Sequence, residues 1–308
     1  MDFASILLVV IALVPGIVLL RYIYKKDRVE KEPVGLLILL LFLGAAICFP
    51  AGEIEGFIGE NIINKIFMPL GQMSGNDLIL PTPLYHVYCI VDNFIGIALV
   101  EEGLKWIVLF FVTRKNKNFN SMFDGVVYAV FVSLGFAMLE NVLYAFSFGL
   151  ETTLMRAVTS IPGHMFFSIF MGFFYSQWFS SVGAEKLEKA YIDRGLLSSS
   201  KKAFYPWRFL ARSLIIPVFV HGFYDYCCTV DTAWAMPLFY IFLIGLYVFC
   251  FSKIKKLSKE DTSAHGFSIV WLVQKHPELK QIVLNELSQV GANQNGAYFS
   301  YAVNNQKM

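Results

Sequence analysis

The chain has 308 residues, 56% of them hydrophobic and 16% charged, with a mean hydropathy of +0.58 and a formal net charge of +2. Soluble domains carry about 25% charged residues, so this composition excludes an ordinary globular protein and indicates an all-α, polytopic protein embedded in a lipid bilayer. The small net charge gives no support to nucleic-acid binding, and the five cysteines form no C-x-x-C pair that would indicate a zinc finger or a disulfide framework.

Windows of about 20 mostly apolar residues recur seven times, at 3–20, 34–50, 86–112, 123–150, 152–182, 207–230 and 233–252. The first lacks a basic leader and a small-residue cleavage site, which reads as an uncleaved anchor. Lys and Arg concentrate in the connections after spans one, three, five and seven. The positive-inside rule then places the N-terminus outside and the C-terminus in the cytoplasm of a cell-membrane protein. The connection 51–83 reads as external, with an amphipathic stretch at 54–70 lying on the membrane surface. Residues 1–252 form the membrane-embedded domain and 253–308 a cytoplasmic tail. In that tail a helix is expected near 277–290, Pro277 at its start and Gly291 past its end.

Polar residues are confined to four spans. Span three carries Asp92 and the cluster Glu101-Glu102-Gly103-Leu104-Lys105, which interrupts an otherwise apolar run. A charged side chain at the centre of a membrane helix costs roughly 2.5–3.5 kcal/mol on insertion scales, so three in five residues demand neutralisation. Glu101 and Lys105 stand at i and i+4 and can pair, whereas Glu102 points about 100° away with no partner expected in its own segment. Span four carries Glu140-Asn141, span five His164 after Pro162-Gly163, and span six His221 and Asp225 at i and i+4. Glu140, His164 and His221 each lie roughly ten residues from the outer ends of their spans, about 15 Å deep. Spans three to six are therefore expected to enclose one polar site that the other spans shield.

Two imidazoles and several carboxylates at one depth are the groups needed to activate water, with a glutamate taking the proton and histidines or a metal stabilising the oxyanion. Each element also has a plainer reading: Glu101–Lys105 as a structural ion pair, Glu140-Asn141 as an interhelical hydrogen bond, His164 as a cap at a kink, and His221–Asp225 as a polar pair. Asp92 and Asp124 read as structural. Buried carboxylates and histidines also build proton relays, so a transporter or proton pathway is an alternative, as is an inactive heptahelical protein that only binds a partner. No internal repeat of the transporter kind is present.

Glu101-Glu102-x-x-Lys105, Asp124-Gly125 leading to Gly135-Phe136-Ala137-x-x-Glu140-Asn141, Arg156 before His164, and His221-x-x-x-Asp225 resemble the PrsW family of intramembrane proteases, related to the CAAX prenyl protease and Abi proteins. The segment Asp27-Arg28-Val29-Glu30-Lys31-Glu32-Pro33 is similar to that family's turn after the first span. The resemblance implies cleavage of a membrane-anchored protein, with anti-sigma factors as the substrate class. It implies Glu101, Glu102 and His221 as catalytic residues, with Lys105, Glu140, Asn141 and Asp225 in support. A divalent metal, zinc first among candidates, would take ligands from separate helices, namely His164, His221 and Glu140. No H-E-x-x-H pair is present, and a metal-free reaction through glutamate and water is the other arrangement. Gly135, Gly163 and Gly222 are expected to let a substrate backbone approach.

Overall fold

The computed structural model describes residues 3–27, 31–74, 77–198, 205–261 and 263–289. Arg28, Val29 and Glu30 of the turn after the first helix, Val290 and Gly291, and the Asn- and Gln-rich end lie outside them. The described chain is almost wholly helical: α1 (Phe3–Lys26), α2 (Val34–Ala46), α3 (Cys48–Ile58), α4 (Asn64–Phe67), α5 (Thr82–Val91), α6 (Leu99–Thr113), α7 (Asp124–Val158), α8 (Ser160–Asp193), α9 (Pro206–Thr229), α10 (Ala235–Lys259), α11 (Ala264–Lys275) and α12 (Lys280–Gln289). A two-stranded hairpin, β1 (Gln72–Ser74) with β2 (Asp77–Ile79), lies between α4 and α5.

Four segments among the described residues, 4–26, 34–70, 124–193 and 235–259, are long and apolar enough to cross a membrane. Two further helical runs, 82–113 and 206–229, carry the charges expected at the site, so length and apolarity alone do not mark them.

Helix α7 is the hub. Its residues from Asp124 to Ala137 are buried on every side, as expected of a helix apolar all round. It packs against α1, α2, α6 and α8, while α9 packs on α8, α6 and the stretch that precedes α6. The connection after α1 is docked on this hub: the Glu32 amide donates to Asp27 Oδ2 at 3.1 Å, and the Tyr128 hydroxyl donates to Glu32. At its start Asp124 Oδ2 accepts the amides of Ser121 and Asn120 at 2.7 and 2.9 Å, satisfying donors ahead of the first turn. Asp261, from beyond α10, accepts the Phe123 amide at 2.9 Å.

The structure redraws several expected boundaries. Helix α2 does not end in a surface loop: after a turn at Ile47 the chain continues as α3 against α6 and α7, through Cys48, Ala51 and Phe136. The apolar positions at 48 and 51 share a face, and that face is buried against Phe136, while Ile54, Phe57, Ile62 and Ile66 of the following stretch stay exposed. Span four ends at Gly149, whose φ of 81° favours glycine, and residues 150–158 form a short separate helical piece. Of the stretch expected at 152–182, residues up to Val158 belong to that short piece, and the long helix begins at Ser160. Helix α8 has 34 residues, about 51 Å at 1.5 Å each, so it overreaches a hydrocarbon layer of about 30 Å. The tail packs on its far end, where Leu272, Val273, Leu279 and Val283 form a small core with Tyr191 and Leu197. The expected tail helix is present as Pro277–Leu279 leading into α12. Helix α11, which sequence reading missed, precedes it.

Candidate active site

The stretch Asp92–Ala98 between α5 and α6 is π-helical. Such turns insert a residue into the helical ladder and occur often at functional sites. Immediately after it, the first turn of α6 presents Glu101 and Glu102, with Lys105 one turn on; all three are buried. The Lys105 ammonium donates to Glu101 Oε2 and Glu102 Oε1, both at 2.8 Å. Its third donor meets His164 Nδ1 at 3.0 Å, and it lies 4.1 Å from the centre of the Phe136 ring. Lys105 thus serves both glutamates, correcting the expectation that Glu102 lacks a partner in its own segment. Residues at i+3 and i+4 are both neighbours on a helix, and a long lysine stem reaches each.

His164 comes from the start of α8. Because its Nδ1 accepts from an ammonium, Nε2 carries the proton and donates to Glu140 Oε2 at 3.0 Å. The same Glu140 oxygen lies 2.6 Å from an Arg156 terminal nitrogen. The break at Gly149 brings Arg156 back over α7, where its guanidinium stacks 3.8 Å from the Tyr144 ring centre.

His221 comes from α9. Its Nδ1 stands 3.0 Å from Glu102 Oε1 and its Nε2 3.1 Å from Asp225 Oδ2, the second contact poorly aligned for a hydrogen bond. Its ring stacks on Phe167 at 4.6 Å. The next residue, Gly222, lets α9 close on the π-helical stretch, since a Cβ there would stand 2.7 Å from the Phe94 ring. Gly135 is likewise taken by packing, its would-be Cβ meeting the Leu41 carbonyl oxygen at 2.1 Å. Neither glycine is open to a substrate, contrary to expectation.

One donor atom each from Glu101, Glu102, His164 and His221 lie within 4.8 Å of one another, all four residues buried. Glu140 and Asp225 stand behind this set, each on an outer imidazole nitrogen. Asn141 turns away from it and donates to the Ala12 carbonyl at 3.0 Å, tying α7 to α1. Asn93 bonds the Cys89 carbonyl and the Thr229 hydroxyl, joining α9 to the π-helical stretch. A cavity of about 240 Å³ opens onto Glu101, Glu140, His164, His221 and Asp225. Glu102 lies behind that wall, and its Oε2 is buried without a hydrogen-bond partner.

The donor set fits a divalent metal. Two carboxylates from α6 and one imidazole each from α8 and α9 are suitable ligands, and each imidazole has its outer nitrogen against a carboxylate, the arrangement that orients metal-binding histidines. The orphaned Glu102 oxygen offers one more acceptor. A fixed cation, Lys105, already touches three of the four donors.

Sequence reasoning missed Glu55 at this cavity and did not foresee that Arg156 pairs with Glu140. The available signal for Glu55 was an acid inside a run apolar enough to remain helical from 34 to 70.

A buried cluster of carboxylates, imidazoles and one ammonium sits inside a bundle of apolar helices, as a membrane-embedded peptidase requires. Residues 32–252 match the family described as PrsW family intramembrane metalloprotease, and the chain belongs to that family. Among curated relatives it is 28% identical to Protease PrsW of Geobacillus kaustophilus (strain HTA426), covering 79% of this chain and 88% of the relative. It is 30% identical to Protease PrsW of Bacillus subtilis (strain 168), covering 79% and 91%, and 29% identical to that of Clostridioides difficile (strain 630), covering 81% and 90%. No solved structure matches the chain.

Proposed function

We propose that this peptidase hydrolyses a peptide bond of a single-span, membrane-anchored protein of the anti-sigma-factor kind, with Glu101 as the base that activates water. The observation that carries this reading is the convergence of Glu101, Glu102, His164 and His221 within 4.8 Å at a cavity wall. Glu101 reaches the cavity, so it is placed to take a proton from water as the oxygen attacks the scissile carbonyl. The oxyanion that forms meets the positive field of Lys105 and Arg156 and the imidazole of His221. The proton held on Glu101 then passes to the departing amine. Glu140 and Asp225 hold the imidazoles in orientation, and Lys105 pairs with both buried carboxylates.

Glu102, His164 and His221 would hold a divalent metal, zinc first among candidates, with Glu101 left free as the base; bound there, the metal would supply Lewis acidity and lower the pKa of water. A peptide bond inside a helix is shielded by its own hydrogen bonds, so the substrate must enter unwound. The basic connections support an external N-terminus and residues 253–308 in the cytoplasm of a cell-membrane protein, and with that topology the cut would fall at or just beyond the substrate's outer boundary. Mapping product termini by mass spectrometry tests this; a cut on the cytoplasmic side would contradict it.

A further inference from the structure

We propose that Glu55 forms a subsite for a lysine or arginine side chain of the substrate, beside the scissile bond. This inference rests on the proteolytic reading above and adds what the cavity selects.

Glu55 lies on α3, four residues after Ala51 and seven after Cys48. Those spacings share one helical face, and the two apolar residues on it dock against Phe136. The same face therefore carries the Glu55 carboxyl into the cavity that Glu101, Glu140, His221 and Asp225 line. Two other acids at this wall are matched by fixed cations of the chain, Glu101 by Lys105 at 2.8 Å and Glu140 by Arg156 at 2.6 Å, while Asp225 has the His221 imidazole at 3.1 Å in a contact too poorly aligned for a hydrogen bond. Among the described residues Glu55 has no such partner, and its Oε1 is buried without a hydrogen bond. A shielded carboxylate oxygen left unpaired is costly, and a charged N–H donor satisfies it best.

The shape of the cavity agrees. At about 240 Å³ it falls below the roughly 300–1,000 Å³ of small-molecule pockets, a space for one or two side chains. Tyr144, Phe167 and Tyr224 line it beside the acids. A lysine or arginine stem lies well along such apolar walls while its charged end reaches a carboxylate. An acidic side chain beside Glu55 would be repelled by it, since Glu101 and Glu140 are already offset by Lys105 and Arg156.

The test uses three single-span reporter proteins that differ only at one extracytoplasmic juxtamembrane residue, Lys, Gln or Glu, with that residue scanned along the segment. Wild-type protein should cleave the Lys reporter with the highest kcat/KM at one register. The Lys-to-Gln ratio should fall about 10- to 100-fold in Glu55→Gln, the loss expected for one charged hydrogen bond. Glu55→Lys should invert the preference toward the Glu reporter. A Lys-to-Gln ratio that Glu55→Gln leaves unchanged, whether total cleavage holds or falls, overturns the subsite. Co-purification of the same reporters with wild-type and Glu55→Gln protein gives the ratio independently of turnover. If binding keeps the Lys preference and no reporter is cut, the proteolytic reading fails and the subsite stands; if binding shows no preference that depends on Glu55, the subsite fails.

Discussion

At the scale of single residues, the site is a set of linked contacts rather than a row of independent groups. Lys105 uses all three ammonium hydrogens on Glu101, Glu102 and His164, and His164 passes its own proton toward Glu140. Replacing Glu101 by Gln keeps the shape and removes the base, so cleavage should fall by at least about 100-fold while the protein stays folded. Glu102→Gln and His221→Ala should do the same. Matched measurements of product formation and of thermal unfolding in detergent check this; near-normal turnover in all three variants would return the cluster to a structural role. Lys105→Met should instead destabilise the fold, by about 3–5 kcal/mol, because two buried carboxylates lose their shared cation. Unfolding at the wild-type temperature would contradict the charge balance described here.

The residues that stand out in an apolar sequence were the ones that could be read from it. Glu101, Glu102, His164 and His221 are legible because charge and imidazole inside a long hydrophobic run have few reasons to be there. Roles set by distant partners were not legible. Asn141 sits beside Glu140 in sequence, yet its amide is spent on Ala12, 129 residues away, a consequence of the 100° turn between adjacent helical residues. Glu55 escaped notice because its stretch reads as amphipathic, and only packing shows which face is buried.

At the scale of elements, the π-helical stretch, the break at Gly149 and the tail explain most of the site's placement. None has a strong sequence signature, since a π turn depends on the neighbours a helix must accommodate. The tail joins the far ends of the two helices that carry Glu140 and His164. Asp261 meets the start of α7, and Glu188 of α8 holds Lys275 at 2.7 Å and His276 at 2.6 Å. A second clasp links Arg194 to Glu286 at 2.6 Å, with the Tyr191 hydroxyl donating to the same carboxyl. The hydrogen bond from Tyr191, aided by Arg194, holds the Glu286 carboxyl below its ordinary value of 4.5. A lowered folded value means that this clasp contributes fully above pH 4.5 and is lost as pH falls through the lower folded value. The protection of α11 and α12 against hydrogen exchange, corrected for the intrinsic rate at each pH, should therefore stay constant from pH 7 down to about 5 and fall only below the carboxylate range. In Glu286→Gln that acid-side change should shrink. Loosening near pH 6 would point to another group.

At the scale of the whole molecule, the proposed topology makes the site asymmetric in the membrane. The bundle was legible as an all-helical membrane protein from composition, and the basic connections supply the orientation proposed for it. The number of crossings was harder to read, because the runs 82–113 and 206–229 carry charge and the run from 34 continues past its expected end. A reporter fused to the C-terminus should be active only in its cytoplasmic form, and an exported reading there would contradict seven crossings with an external N-terminus. The donor set also predicts metal content: purified protein should hold about one zinc-type ion per chain by elemental analysis, and His164→Ala should lower that ratio with no loss of fold. Equal metal in both proteins would place any bound ion elsewhere.

The central claim is that Glu101 and its neighbours, set within a bundle of membrane helices, cut a membrane-anchored protein at its outer membrane boundary. The most direct measurement reconstitutes the purified chain in liposomes with a single-span substrate and maps the product termini by mass spectrometry, for wild type and for Glu101→Gln. The expected result is one new terminus at or just outside the substrate's outer membrane boundary, formed by wild type and absent with Glu101→Gln. The same terminus formed at equal rate by both proteins would contradict the claim.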